Sequence, residues 1–428
     1  MFESILPGPP DVMYDLEVRA ENDTSSAKVD LGVGIYRNNA GQYQELHVVK
    51  EAKEILAQND PGHDYEVTTV NELFLRNAAE LMFGKDCPRL SSNHIASVQT
   101  ISGTGAVHLA ASLLTQLSPT TNPPTVYVGV PAWGNYKPLM KLVGLEVVEY
   151  TYCDSTKRSI DFPAILRAAR DAPSGSVFIL QGCCHNPTGA DPSPAQWDEL
   201  ALCLKQGGHL PLLDVAYQGL GDGLEEDVYS VRAFARLGFD MLVCQSFSKD
   251  FALYGERCGA LHAVCGDARQ AANVRDRLRC LIRWEFSSAP TFGSRLVNIT
   301  LGSDALTTQW QEELGAMQQR IKTLRQELYF LLAHQLQARI RFGLTRQRQE
   351  TGAILRGKQD SFRASVFEVH RSNVLLTRFY RYLMLTPAQC KKLIDKYHIY
   401  LPPNGRINVS GLNESNLGKV ATAIDQVV

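Results

Sequence analysis

No run of about 18 or more apolar residues occurs in the 428 residues of this chain, which excludes a membrane-spanning helix. An excess of either charge is missing too. The 43 Lys and Arg residues face 45 Asp and Glu, a net charge of −2, so neither nucleic acid nor an anionic membrane surface is expected as a partner. The ten cysteines lack metal-ligand spacing; the vicinal pair Cys183-Cys184 is read as packing, and cysteine usage as that of a reducing, cytosolic setting. From Met1 to Pro10 there is no basic n-region and no Arg-rich amphipathic stretch, so secretion and mitochondrial import are not expected and a cytoplasmic location is. Internal repeats and low-complexity tracts are absent. What is present, 44% apolar and 21% charged residues, suffices for a large core and more than one domain.

The expected fold class is α/β. From about residue 41 to 303, apolar stretches such as Thr125-Val-Tyr-Val-Gly-Val130 and Val177-Phe-Ile-Leu180 alternate with helical ones, the pattern of a mostly parallel sheet covered on both faces. Leu306, Trp310, Leu314, Met317, Ile321, Leu324, Leu328 and Leu331 then recur every three or four residues. That period predicts one long linking helix, about 304–336, with a single apolar stripe. The organisation expected is a large domain, 41–303, and a smaller α+β domain built from both chain ends, 1–40 and 304–428.

Chemistry concentrates in Ser246-Phe-Ser-Lys-Asp-Phe-Ala-Leu-Tyr-Gly-Glu-Arg257. A lysine that follows the apolar Met241-Leu-Val-Cys244 is placed to be desolvated, which lowers its pKa and frees an amine for Schiff-base chemistry. Lys249 is that candidate. Hydroxyls at Ser246 and Ser248 and the guanidinium of Arg257 are groups that hold a phosphate beside such an amine, and the combination suggests pyridoxal phosphate (PLP). Upstream, Pro211-Leu-Leu-Asp-Val-Ala-Tyr217 reads as a buried strand ending in an acid. At the carboxyl end of a parallel strand, Asp214 sits where such sheets bind ligands and is placed to keep a pyridinium nitrogen protonated; Tyr217 is in reach of the ring oxygen. Val177-Phe-Ile-Leu-Gln181 leads into Gly182-Cys-Cys-His-Asn-Pro-Thr-Gly189, where Pro187 bars helix at Asn186 and fixes its amide in a loop. Ser102-Gly-Thr-Gly-Ala106 precedes a helical stretch from Val107 and offers backbone N–H groups to an anion. A dinucleotide fingerprint fails there, because His108 holds the third glycine position and no acid follows a later strand at the expected distance.

Taken in this order and spacing, the four stretches resemble the class I PLP-dependent aminotransferases, and specifically their aspartate aminotransferase branch. The resemblance runs from Phe2 to about Leu336 and resumes near Leu385; Gly182–Gly189 and Gly255-Glu-Arg-Cys-Gly259 carry it most specifically. It implies PLP fold-type I, with the cofactor phosphate held by Ser102, Gly103, Thr104, Ser246, Ser248 and Arg257. Trp133 would stack on the pyridine ring, while Asn186 and Tyr217 hydrogen-bond its oxygen, and Trp133 and Asn186 also border the substrate. Lys249 would act twice, as cofactor partner and as carrier of the Cα proton. The resemblance further implies that Arg406, in Gly405-Arg-Ile-Asn-Val409, grips the α-carboxylate through a bidentate fork. Arg283, in Ile282-Arg-Trp-Glu-Phe-Ser287, would reach a side-chain carboxylate across a homodimer with two shared sites. Ser287, Gly34 and Tyr65 complete the implied site, Tyr65 donating to the phosphate of the partner subunit.

Three stretches depart from the family pattern. Glu66-Val-Thr-Thr-Val70 follows Tyr65 where the family has a Gly-containing loop, and Tyr136 stands where the branch commonly has a histidine supporting the ring-binding aspartate. Residues 339–381 hold ten Arg and Lys against three acids with no amphipathic period. That segment reads either as a solvated loop or as sequence translated through an unspliced intron, with Arg378-Phe-Tyr-Arg-Tyr382 the counterpart of a family strand near the substrate. The activity expected is transamination between L-aspartate, or a related dicarboxylic amino acid, and 2-oxoglutarate. Its rivals are an aromatic or specialised-metabolism aminotransferase of the same branch, favoured by the altered loop, and a catalytically silent PLP-fold dimer. Intact Lys249, Asp214, Asn186 and Arg257 weigh against the silent dimer.

Overall fold

The computed structural model describes residues 2–69, 71–117, 123–154, 159–350, 380–383 and 385–428. They form two compact units, one spanning Gln44–Gln319 and the other made of the two ends, up to Tyr43 and from Arg320 onward. Among the described residues no helix is long and apolar enough to cross a membrane.

The larger unit is built on seven strands: β1 (Ile95–Ile101), β2 (Val126–Val130), β3 (Val147–Thr151), β4 (Val177–Gln181), β5 (Leu210–Val215), β6 (Met241–Ser246) and β7 (Cys258–Val264). Their order in space is β1-β7-β6-β5-β4-β2-β3. Strands β2 to β6 pair in parallel, whereas β7 runs antiparallel to both its neighbours, β6 and β1. Every residue of β4, β6 and β7 is buried, which is why these segments read as continuous apolar runs rather than alternating ones. Helix α1 (Ser102–Leu114) and helix α2 (Ala268–Glu285) cover the sheet, burying Val107, Leu109 and Leu114 from one and Leu278, Leu281 and Ile282 from the other in the same core.

Helix α1 starts at Ser102 itself, so Ser102-Gly-Thr-Gly105 is its first turn and not a loop ahead of it. The reason is local. First-turn N–H groups have no partner within a helix, so glycines there sacrifice little while letting the backbone approach its neighbours.

Helix α3 spans Asp304–Glu350, and the division between the units falls inside it, after Gln319, rather than at the expected 303. Its first turns are tied to the larger unit: the Trp310 indole N–H donates to the Asp250 carbonyl at 2.9 Å. Leu314 packs on Gly219, where an added Cβ would lie 2.4 Å from the leucine. The apolar stripe through Leu328 is buried.

In the smaller unit, Val29–Asp30 pairs in parallel with Ile399–Tyr400, and Tyr380–Tyr382 pairs antiparallel with Arg406–Asn408, Tyr382 opposite Arg406. Arg320 binds this unit together by donating to the carbonyls of Arg37 and Leu412, each at 2.8 Å. Residues 351–379, most of the atypical basic segment, lie outside the described residues.

Candidate active site

Strands β4, β5 and β6 are neighbours with parallel register, Gln181 beside Asp214 and Asp214 beside Cys244. Their carboxyl ends therefore deliver three loops to one place. Ser102, Gly103, Thr104, Trp133, Asn186, Asp214, Tyr217, Ser246, Lys249 and Arg257 line a single cleft there, together with Gln181, Cys183 and Ala216.

One end of the cleft is built for an anion. The Ser102 hydroxyl lies 3.0 Å from that of Ser246 and 2.7 Å from that of Ser248, which joins Ser248 to the group. Because β7 returns antiparallel, the Phe247 N–H donates to the Cys258 carbonyl at 3.1 Å, and the Ser102 N–H donates to the Arg257 carbonyl at 3.0 Å. Arg257 is thereby brought back beside the serines. Ser102 and Arg257 both adopt left-handed φ, 57° and 53°, a strain that concentrates at functional sites. A Cβ on Gly103 would meet the Ser246 Cβ at 3.1 Å, so glycine keeps the approach open. Burial lowers the pKa of Arg257. Hydroxyls, a guanidinium and the first-turn N–H groups of α1 are the donor set of a phosphate site.

The other end holds an acid. The Tyr136 hydroxyl donates to Asp214 Oδ2 at 2.5 Å. Burial pushes the Asp214 pKa up to about 6, against the opposing pull of the Tyr136 hydrogen bond and the Lys249 charge. Tyr136 is itself pushed well above its usual value, first by burial and then by the Asp214 charge. Trp133 meets Tyr136 edge to face, 5.2 Å between centroids, and Lys249 Nζ sits 5.2 Å from the Tyr217 ring centroid. Gln181, not singled out from the sequence, clamps the Asn186 backbone. It donates from Nε2 to the Asn186 carbonyl at 3.0 Å and accepts the Asn186 N–H at 2.7 Å. Its only signal was a polar residue closing an apolar strand.

Arg283, Ser287 and Tyr65 are not among the residues that line this cleft. Arg283, in the last turn of α2, is exposed and donates to the Ser287 hydroxyl at 2.6 Å. Tyr65 is 87% exposed, and Glu66 after it accepts from Arg295 Nε at 2.9 Å, pinning the altered loop. Gly34 and Arg406 belong to the smaller unit. There Arg406 Nη2 donates to the Gly32 carbonyl at 2.9 Å. Asn408, also missed from the sequence, donates to the carbonyls of Val33 and Ile35 at 2.6 and 2.7 Å and so holds the backbone around Gly34.

An amine, a buried acid and a phosphate-type cradle at the ends of parallel strands define a PLP enzyme of fold-type I, and the donor set fits that cofactor at each end. Residues 26–424 match the family described as aminotransferase class I and II. Aminotransferase tasG of Hapsidospora irregularis is 41% identical over 427 residues, covering 100% of this chain and 96% of that protein. The chloroplastic aspartate aminotransferase of Arabidopsis thaliana is 34% identical, covering 99% of this chain and 87% of the relative. The solved structure of the aromatic-amino-acid aminotransferase from Burkholderia pseudomallei, covalently bound to pyridoxal phosphate, matches with a TM-score of 0.87 at 31% identity, covering 100% and 99% of the two chains. The chain belongs to the class I and II aminotransferases, in their aspartate aminotransferase branch, and its cofactor is PLP.

Proposed function

We propose that this aminotransferase moves an amino group between L-aspartate, or a related dicarboxylic amino acid, and 2-oxoglutarate, acting as a cytoplasmic homodimer. The observation that carries the choice of substrate is Arg283. Its guanidinium is exposed and steadied by Ser287, available to a carboxylate beyond its own unit. Arg283, reaching across the dimer with Ser287, takes the side-chain carboxylate in this reading, Arg406 with the Gly34 segment takes the α-carboxylate, and Tyr65 donates to the cofactor phosphate of the partner subunit.

When bound, PLP supplies an electron sink for the bond to hydrogen at the substrate Cα. The remaining work falls to side chains. Ser102, Ser246, Ser248 and Arg257, with the N–H groups of Gly103 and Thr104, anchor the phosphate. Asp214 holds a proton at the ring nitrogen, and Tyr136 fixes the carboxylate that does so. Asn186 and Tyr217 orient the ring oxygen, and Trp133 packs on the ring face. Lys249 Nζ takes the proton from Cα as general base and gives it back as the conjugate acid.

An aromatic substrate is the second reading. It is favoured by the loop after Tyr65, where Glu66 is committed to Arg295. Steady-state rates with aspartate, glutamate and phenylalanine as donors to 2-oxoglutarate separate the two. The expected result is a higher kcat/KM for aspartate than for phenylalanine; the reverse order would move the conclusion to the aromatic reading.

A further inference from the structure

Against the cofactor cleft lies a group of side chains that transamination does not use. The sulfurs of Cys183 and Cys184 and a carboxylate oxygen of Asp227 all lie within 4.8 Å of one another, and all three residues are buried. Sequence spacing hid this group, because Asp227 is remote from the thiol pair and no ligand motif joins them. Two loops hold its donors in place. Cys184 adopts a left-handed φ of 51°, unusual for a residue with a side chain. Its backbone N–H donates to Asp191 Oδ2 at 2.6 Å, and the His185 N–H donates to Asp191 Oδ1 at 2.8 Å. On the other side, Asp227 Oδ2 accepts the N–H groups of Gly219 and Gly221 at 2.8 and 2.9 Å, and Oδ1 accepts that of Asp222 at 2.9 Å. A carboxylate offers about four lone-pair positions, so capacity remains for a further partner.

We propose that Cys183, Cys184 and Asp227 bind a thiophilic divalent cation of the Zn2+ class, and that the bound ion slows turnover. Two sulfurs and one carboxylate oxygen suit such an ion and leave a fourth position for water. Cys183 lines the cleft, which places the ion beside the cofactor pocket. Each thiol releases its proton on binding, so affinity rises with pH. The link to turnover is positional. Cys183 and Cys184 lead directly to Asn186, while Gly219–Asp222 follow Tyr217, and the Cys184 sulfur lies 4.0 Å from the Tyr217 carbonyl. An ion joining the two loops ties together the backbones that carry Asn186 and Tyr217. The binding claim is independent of which amino acid the enzyme prefers.

Cd2+ titration of the holoenzyme tests the proposal. One ion should bind per chain with the ultraviolet absorbance of sulfur-to-metal charge transfer, at least about a hundredfold tighter than in Cys184→Ser, with Asp227→Asn weakened by about tenfold. Transamination with the preferred amino donor should fall as the parent takes up Cd2+ and stay unchanged in Cys184→Ser at the same concentration. Cadmium NMR of the parent protein reports the number of sulfur ligands without any variant, and two are expected. Equal affinity in parent and Cys184→Ser, fewer than two sulfur ligands, or binding that leaves turnover untouched would each overturn the proposal.

Discussion

Tyr136 and Asp214, 78 residues apart in sequence, meet in a 2.5 Å hydrogen bond in which the phenol donates to the carboxylate. Both groups are buried, so the bond acts in a low dielectric where a donor to a charged acceptor contributes about 1.5–3 kcal/mol. It opposes the burial that raises the Asp214 pKa to about 6. Tyr136→Phe should therefore raise that pKa further and shift the acid limb of the kcat/KM profile upward by about one pH unit, at 1.36 kcal/mol per unit. If the limb stays in place while stability falls, Tyr136 only packs.

Asp214 also leaves a mark on stability in the protein stripped of cofactor. Its folded pKa, about 6, stands above the 3.8 of an unperturbed aspartate, so the folded state binds this proton more tightly than the unfolded chain does. The contribution is complete below about pH 4 and lost as pH rises through about 6, amounting to about 3 kcal/mol. Denaturant unfolding of the cofactor-free Asp214→Asn variant should lack this fall between pH 4 and 6. With cofactor restored, the same variant should lose about two to four orders of magnitude in rate, the scale of about 3 to 5 kcal/mol for a buried charge deprived of its partner. Near-parental turnover would show that Asp214 faces something other than the ring nitrogen.

Lys249→Ala should abolish turnover and leave the circular dichroism of the fold intact, since no other group is proposed to bind the cofactor carbon and carry the Cα proton. Borohydride treatment of the parent holoenzyme should fix the pyridoxyl label at Lys249. A label mapped to another lysine refutes the assignment.

Arg283→Ala addresses substrate class. Loss of a charge-assisted contact to a carboxylate should lower the ratio of kcat/KM for aspartate over phenylalanine by about a hundredfold, or about 2.7 kcal/mol. Equal losses on both substrates would make Arg283 a structural residue.

The cleft residues that could be read from sequence are those whose chemistry is local. Lys249 among serines, Asp214 closing an apolar strand and Asn186 before a proline each announce themselves within a few positions, and parallel register then aligns their strand ends. What escaped depends on partners distant in the chain. Gln181 matters through two bonds to the backbone of Asn186, and an isolated glutamine carries no such signal. The antiparallel direction of β7 is set by the turn through Lys249, whose sequence reads only as chemistry. The start of α1 at Ser102 is not legible in the sequence, because glycines suggest a loop although a first helical turn tolerates them. The division of the units within α3 was invisible because the apolar stripe continues unbroken through Gln319 into the smaller unit.

The three serine hydroxyls at the anion end bear on how long the polypeptide lasts without its vitamin-derived cofactor. Ser102 lies within hydrogen-bond distance of both Ser246 and Ser248, and hydroxyl protons rotate freely enough to serve either a neighbouring oxygen or an arriving anion. Departure of the phosphate thus orphans none of these buried oxygens, sparing the fold the roughly 1–3 kcal/mol that each unsatisfied group would cost. To that extent the phosphate cradle is a rechargeable holder, one whose three hydroxyls add no penalty of their own when the cofactor leaves.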